Sequence, residues 1–166
     1  MDAPTLNLEE VAELARVEAT TLRDWLRLNG PFNAPSGDIE QLGPFTALAV
    51  CIAAALSRRN VEISSAAQAG KKFAHTDEGS PQRNYPGALY GREVGTTVLA
   101  MDMRGEVRIV PIMSISKARP QEIATAIFGD RGVWAIDVNP FVEQIERKIG
   151  AAFASLPHKQ THWLGT

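Results

Sequence analysis

The chain has little of what extracellular and membrane-spanning proteins require. It contains a single cysteine, Cys51, which cannot form an internal disulfide and fits a reducing compartment. Its longest apolar run, residues 47–56, is shorter than the roughly 18 residues that cross a bilayer. The first residues show neither the basic nor the apolar segment of a secretory signal. We therefore expect a cytoplasmic protein without membrane contact, in which Cys51 is a small core residue.

Patterns typical of catalysis and of metal binding are also missing. Only His158 and His162 have the four-residue spacing of two ligands on one helix face. No acidic or cysteine ligand accompanies them, so the favoured interpretation is a flexible tail at residues 157–166. The sequence has no glycine-rich loop of the kind that holds a nucleotide phosphate. We therefore expect a protein that is not an enzyme and that needs no cofactor.

The N-terminal half has few basic side chains. Residues 1–75 contain seven Lys and Arg against nine Asp and Glu, for a net charge of −2, and the rest of the chain has ten of each sign. Nucleic-acid binders usually carry a basic face, because phosphate contacts dominate their affinity. DNA binding would therefore require the arginines to cluster on one surface. The alternative is a protein-binding helical module whose arginines are only solvated.

The most informative stretch covers residues 7–28, which predict two short helices around a tight turn. Asn7 is a good helix cap, and Glu10 three residues later can complete a capping box. Apolar residues recur at helical spacing and predict the inner face of the pair: Leu8, Val11, Ala12, Leu14, Ala15, Leu22, Trp25 and Leu26. A helix pair this short is typical of DNA-binding domains, which place the second helix in the major groove.

The second helix, predicted at residues 19–28, directs polar side chains outward. Arg23 and Arg27 are four residues apart and therefore share one face, with Thr20 beside them. The spacing of Ala12, Arg16 and Val17 resembles the helix-turn-helix signature, in which the position of Arg16 usually carries glycine. A left-handed turn residue other than Gly or Asn costs roughly 1 kcal/mol there. The acidic residues of the first helix are expected on another surface: Glu9, Glu10 and Glu13.

The segment TLRDW at residues 21–25, followed by LNGP at residues 28–31, resembles the start of a MerR-type DNA-binding domain. In that family the second helix typically reads TLRYY or TLRYW, so Asp24 replaces an aromatic residue here. The resemblance covers about the first 75 residues and implies a short wing followed by a third and a fourth helix at residues 45–56 and 63–73, with a turn at 58–60. The family's wing carries arginine and tyrosine, whereas residues 35–41 of this chain are acidic.

The resemblance also implies double-stranded DNA as the partner. Arg23 would contact phosphate or a base edge, with Thr20 and Arg27 beside it. Further arginines would join the same surface: Arg16, Arg58 and Arg59. Because DNA regulators usually bind a two-fold symmetric site with two DNA-binding domains, we also expect a homodimer.

A change of composition near residue 80 divides the chain. Residues 75–91 are rich in glycine and proline, which marks a connection. We therefore predict a winged helix-turn-helix domain at residues 5–75 and a small mixed β/α domain at residues 88–156. Together they make an α+β fold.

In the second predicted domain the apolar residues no longer follow a helical period. Residues 97–103 and 107–113 predict a β-hairpin, in which Pro111 cannot donate to a ladder and therefore places its strand at an edge or gives it a bulge. We predict that a short helix, a third strand and a last helix follow, at residues 120–128, 133–138 and 141–156, with Asn139 as the cap of the last helix.

The last predicted helix carries an apolar stripe with charged residues opposite. The favoured interpretation is that this stripe covers the small sheet of its own domain. The alternative is a dimer helix, since MerR-type regulators pair through a C-terminal helix. Aromatic and methionine residues of the same domain would suit either a core or a small-molecule pocket.

The hypothesis that unites these patterns is a sequence-specific DNA-binding transcription regulator, which reads the major groove with the helix at residues 19–28. The alternative is a non-enzymatic adaptor that uses the same helical module to hold a protein partner. The two differ in their salt dependence, because DNA binding weakens steeply with salt and an apolar protein interface does not.

Overall fold

The computed structural model describes residues 4–27, 30–32, 39–75, 87–91, 93, 95–112 and 119–156. Helices and small antiparallel sheets alternate along the chain, so the predicted α+β class is confirmed. The elements in chain order are β1 (Leu6–Asn7), α1 (Leu8–Ala15), α2 (Ala19–Leu26), β2 (Gln41–Leu42), α3 (Pro44–Ser57), α4 (Ile63–Ala74), β3 (Thr96–Asp102), β4 (Val107–Ile112), α5 (Pro120–Phe128), β5 (Gly132–Asp137) and α6 (Asn139–Ile149).

The predicted pair of short helices is present as α1 and α2. Asn7 Oδ1 accepts from the Glu10 N–H at 2.8 Å, and Glu10 Oε2 accepts from the Asn7 N–H at 2.9 Å, which completes the capping box. The chain then turns at Arg16, whose φ of 58° and ψ of 45° are left-handed as predicted. The Val17 N–H donates to the Ala12 carbonyl at 3.0 Å and closes the turn. These bonds fix the angle between the two helices.

A two-residue ladder joins the start of α1 to the segment that follows α2. β1 pairs with β2 in antiparallel register, with Leu6 opposite Leu42, and the Leu8 N–H donates to the Glu40 carbonyl at 3.1 Å. Residues 33–38, which include the first part of the predicted wing at residues 35–41, lie outside the described residues. The ladder therefore places Glu40 beside the first turn of α1.

Helices α3 and α4 confirm the two predicted helices of the first domain, and they pack closely because small residues line both. A Cβ placed on Gly70 would lie 2.4 Å from the Ala49 carbonyl oxygen, so the backbones are nearly in contact there. The turn between them covers residues 58–60, as predicted, and contains Asn60 at a positive φ of 66°. Cys51 is buried in α3, and burial raises the pKa of its thiol to about 12.

The second half contains a three-stranded antiparallel sheet of order β4-β3-β5. Pro111 lies in β4, which is an edge strand, the first of the two predicted alternatives. The two faces of β3 contact different partners because successive side chains alternate. Val98 and Ala100 pack with residues of α5, whereas Leu99 and Met101 join the core that the helices of the first half form.

One buried cluster therefore includes residues from both sides of the predicted domain boundary. Its members before residue 80 include Leu22, Leu48 and Phe73, and those after it include Leu99 and Ile145. The connection itself, residues 76–86, lies outside the described residues. The division at residue 80 stays a prediction about folding units, and the two halves share buried apolar surface.

The prediction for the last helix is wrong in two respects. α6 ends at Ile149 rather than at residue 156, because Gly150 adopts a left-handed φ of 69° and closes the helix. A short 3₁₀ turn, Phe153–Ser155, follows and still buries Phe153. Asn139 does not cap α6; its Oδ1 accepts from the Thr97 N–H at 2.9 Å and ties the helix to β3. The predicted tail, residues 157–166, lies outside the described residues.

His75, the cap residue after the end of α4, leads us to expect a fold that is sensitive to acid. Burial, together with the charge of Lys71, lowers the pKa of His75 to about 4 from 6.5. Between these values the unfolded chain binds more protons than the folded chain, so stability falls as pH falls. When the pH is lowered through this range, the free energy of unfolding of the wild type should fall. The fall should exceed that of His75→Gln by up to about 3 kcal/mol. Urea denaturation at a series of pH values measures the difference, and parallel curves would contradict the assignment.

Candidate DNA-binding surface

The outer face of α2 carries the side chains that the sequence predicts for DNA contact. Leu22 and Leu26 are buried on its inner face, and Trp25 packs against the same core with its ring centroid 6.3 Å from that of Phe32. Thr20 is exposed on α2, and Arg27, the extended residue that follows the last residue of α2, is exposed as well. The inner face of α2 is therefore packed against the core, and its polar side chains face solvent.

Two carboxylates contact the guanidinium of Arg23 on this face. Its Nε donates to Glu40 Oε1 at 3.0 Å, and its Nη2 donates to Glu40 Oε2 and to Glu9 Oε1, both at 3.3 Å. The hydrogen bond to Glu40 is the main reason that the pKa of Arg23 is raised and that of Glu40 is lowered. The three side chains together carry a net charge of −1.

The expectation that the acidic residues of α1 lie away from the arginines is therefore wrong for Glu9. Its carboxylate lies within salt-bridge distance of Arg23, although 65% of its side chain is exposed. The sequence gives no indication that Glu40 is a partner of Arg23, because Glu40 is brought beside Arg23 by the β1–β2 ladder. A two-residue strand leaves no alternating pattern in the sequence, so no signal pointed to it.

Among the described residues, Arg27 forms one weak ion pair, with Asp24. Its Nη1 lies 3.0 Å from Asp24 Oδ1, and both side chains are 66% exposed. An ion pair this exposed is worth little, because solvent screens it and the side chains lose rotational freedom. Asp24, which replaces the aromatic residue of the MerR pattern, therefore moderates the charge of Arg27 without locking it in place.

The other three predicted arginines form a second group, at the turn of α1 and α2 and at the end of α3. Arg58 Nη1 donates to the Ala15 carbonyl at 2.6 Å, and the Arg59 guanidinium lies 5.3 Å from the centre of the Trp134 ring. Burial lowers the pKa of Arg58, and the neighbouring charges of Arg16 and Arg59 lower it further. Like charges are thus held close together at this place.

These three arginines line a cleft of about 400 Å³ between the two halves of the chain. Trp134 and Asp137 of β5 and Phe141 of α6 lie in the same lining. The sequence predicted the arginines as DNA contacts, but it did not predict that β5 and α6 would face them. Their neighbours come from elements more than 70 residues away in the chain, which no local pattern encodes.

Comparisons with family models, with curated proteins and with solved structures find no match to this chain. Within the residues that the structure describes, no group of three or more His, Cys, Asp or Glu side chains could hold a metal ion. The helices of that same part of the chain are too short or too polar to cross a bilayer. The site is therefore interpreted from its own geometry and charges.

Proposed function

We propose that this chain is a sequence-specific DNA-binding transcription regulator that inserts α2 into the major groove of double-stranded DNA. The observation that carries the proposal is the geometry of α1 and α2. Two eight-residue helices meet at a left-handed Arg16, bury their inner faces and leave Thr20, Arg23 and Arg27 outside. A rigid pair of this kind holds its second helix at a fixed angle, which groove reading requires.

Each outer side chain has a separate role in this proposal. Arg23 contacts phosphate or a guanine edge through its planar guanidinium, which matches both geometrically. Arg27 exchanges its weak bond to Asp24 for a phosphate, and the Thr20 hydroxyl adds a neutral hydrogen bond. The remaining arginines would flank the duplex beside the turn: Arg16, Arg58 and Arg59. Two copies of the chain, arranged as a homodimer, would read two half-sites.

Glu9 and Glu40 oppose DNA in the free protein, because Arg23 must leave them before it binds a phosphate. They also hold the guanidinium in place, so Arg23 is released only where a phosphate compensates for the loss. The pair therefore favours tight, well-fitted complexes over loose electrostatic ones. This is a form of selection against the wrong partner.

We predict that Glu40→Gln strengthens DNA binding about threefold at low salt, because it removes one negative charge near the phosphates. Glu9→Gln should act in the same direction. Glu13→Gln on α1 is the matched control, since it changes the net charge equally but makes no described contact with Arg23. Electrophoretic mobility shifts on one duplex measure all three variants. Weaker binding by Glu40→Gln, or equal gains in all three, would contradict the proposed role.

Selection of DNA fragments by the purified chain tests the function itself. Sheared genomic DNA is incubated with the immobilised protein, washed in moderate salt, eluted and sequenced. We expect enrichment of fragments that share a site with two-fold symmetry, and loss of that enrichment when Thr20, Arg23 and Arg27 are all replaced by alanine. If the wild type enriches no common sequence, the proposal fails, and the protein-binding adaptor becomes the better account.

A further inference from the structure

The cleft that contains Arg16, Arg58 and Arg59 is large enough for a small molecule. Its volume is about 400 Å³, and pockets for small ligands usually measure roughly 300–1,000 Å³. It is formed by the turn after α1, the end of α3, the start of α5, β5 and the start of α6. A ligand there would contact both halves of the chain.

The charges in the cleft favour an anion. In the part of the chain that the structure describes, no carboxylate forms an ion pair with Arg16, Arg58 or Arg59. Arg58 donates a hydrogen bond to the Ala15 carbonyl, and the Arg59 guanidinium lies within cation–π distance of the Trp134 ring, 5.3 Å from its centre. The charges of Arg16 and Arg59 thus lie close to Arg58, and no carboxylate of the described residues neutralises the group by an ion pair. An anion placed among them would remove their mutual repulsion and accept several charge-assisted hydrogen bonds.

The rest of the lining favours an aromatic or otherwise flat apolar body. Trp134 and Phe141 contribute aromatic rings, and Leu14, Ile123 and Ile136 contribute aliphatic surface. Aromatic walls bind flat rings with defined geometry. Among the described residues of the lining, Asp137 is the acidic one, and its Oδ1 accepts from the Asn139 N–H at 2.9 Å. The three positive charges of the arginines therefore outnumber the one negative charge of Asp137 in the lining.

We propose that this cleft binds a small aromatic anion, whose charged group lies among Arg16, Arg58 and Arg59 and whose ring packs near Trp134. The binding itself does not depend on DNA binding. Its consequence for DNA rests on the proposed function, because the same arginines would flank the duplex. A bound anion would then compete with DNA phosphates and weaken the complex.

Isothermal titration calorimetry with matched probes tests the proposal. The probes are 1-naphthyl phosphate, 1-naphthoate, the neutral 1-naphthol and inorganic phosphate. We expect saturable binding of at least one naphthyl anion, and binding at least tenfold weaker for 1-naphthol and for phosphate alone, because each lacks one half of the recognised ligand. The two anions distinguish a phosphate from a carboxylate ligand. Failure of both anions to bind at millimolar concentrations, or equal binding of 1-naphthol, would overturn the proposal.

Three arginine variants locate the site. Arg59→Ala and Arg58→Ala should each weaken binding of the naphthyl anion about 10- to 100-fold, since a hydrogen bond to a charged group is lost. Because Arg58 also bonds to the Ala15 carbonyl, Arg58→Ala removes a contact that supports the fold. Arg16→Gly tests the same cleft without removing such a contact. Glycine relieves the left-handed strain at residue 16, so its melting temperature should be equal or higher. Arg147→Ala, on the exposed side of α6, is the control and should bind as the wild type does.

The outcomes separate this proposal from the function proposed above. Unchanged affinity in Arg16→Gly and Arg59→Ala, or an equal loss in Arg147→Ala, would overturn the cleft as the site. If the anion binds but the selected DNA does not, only the proposed DNA function fails. If both bind, saturating naphthyl anion should raise the apparent Kd for DNA, and an unchanged Kd would overturn the competition.

Discussion

Arg23→Ala is expected to weaken binding of the selected duplex by about 100-fold or more. Each chain loses one charge-assisted contact, worth roughly 1.5–3 kcal/mol, and a dimer loses it twice. The fold should survive, because Arg23 lies on the outer face of α2 and its bonds are to two exposed carboxylates. Fluorescence anisotropy measures the affinity, and the melting temperature checks the fold.

The variant also releases Glu9 and Glu40, which then repel DNA without compensation. The triple change of Arg23→Ala with Glu9→Gln and Glu40→Gln separates the two effects. It should recover the part of the loss that comes from repulsion and retain the part that comes from the missing contact. Arg147→Ala removes one positive charge elsewhere and should reduce binding little. If the triple variant binds as tightly as the double variant with Glu9→Gln and Glu40→Gln alone, Arg23 makes no contact with DNA.

Gly70→Ala is expected to have the largest effect on stability, lowering the free energy of unfolding by roughly 3 kcal/mol. Alanine is the better helix former and would by itself add about 1 kcal/mol. However, its Cβ would lie 2.4 Å from the Ala49 carbonyl oxygen, which is backbone and cannot rotate away. Helices α3 and α4 would have to separate, and the small residues between them would lose contact.

Gly43→Ala is the matched control for that change. Gly43 precedes α3 and has a φ of −68° that any residue adopts. An added Cβ there would have no atom of the described residues within 4 Å. Its replacement should change the free energy of unfolding by less than about 1 kcal/mol, as expected for Gly and Ala at an N-cap. Urea denaturation compares the two variants. Similar losses at both positions would show that the close approach at Gly70 is unimportant.

Local chemistry was enough to predict most of the helices and strands. The capping box of Asn7 and Glu10, the positive φ at Arg16 and the edge position of Pro111 all appear as predicted, because each depends on residues near in sequence. The end of α6 was also encoded locally, by Gly150. The apolar stripe continues beyond it at helical spacing, and that periodicity led to the longer prediction.

The surroundings of the arginines could not be predicted in the same way. Arg23 meets Glu9 across 14 residues of sequence through the turn between α1 and α2, and it meets Glu40 across 17 residues through a ladder only two residues long. Arg59 lies near Trp134 because β5, which contains Trp134, pairs with β3 in the sheet. The arginines themselves were identifiable from sequence, whereas the partners that modify their charge depend on tertiary packing.

The most direct test of DNA binding is the salt dependence of anisotropy on the selected duplex. If Arg23 and Arg27 of two chains neutralise four phosphates, log Kobs should fall with log[salt] at a slope of about −3.6, and Arg23→Ala should reduce that slope by about half. A shallow slope that Arg23→Ala leaves unchanged would contradict the account. So would a failure to bind any duplex at low salt, and either result would favour a protein partner for α1 and α2.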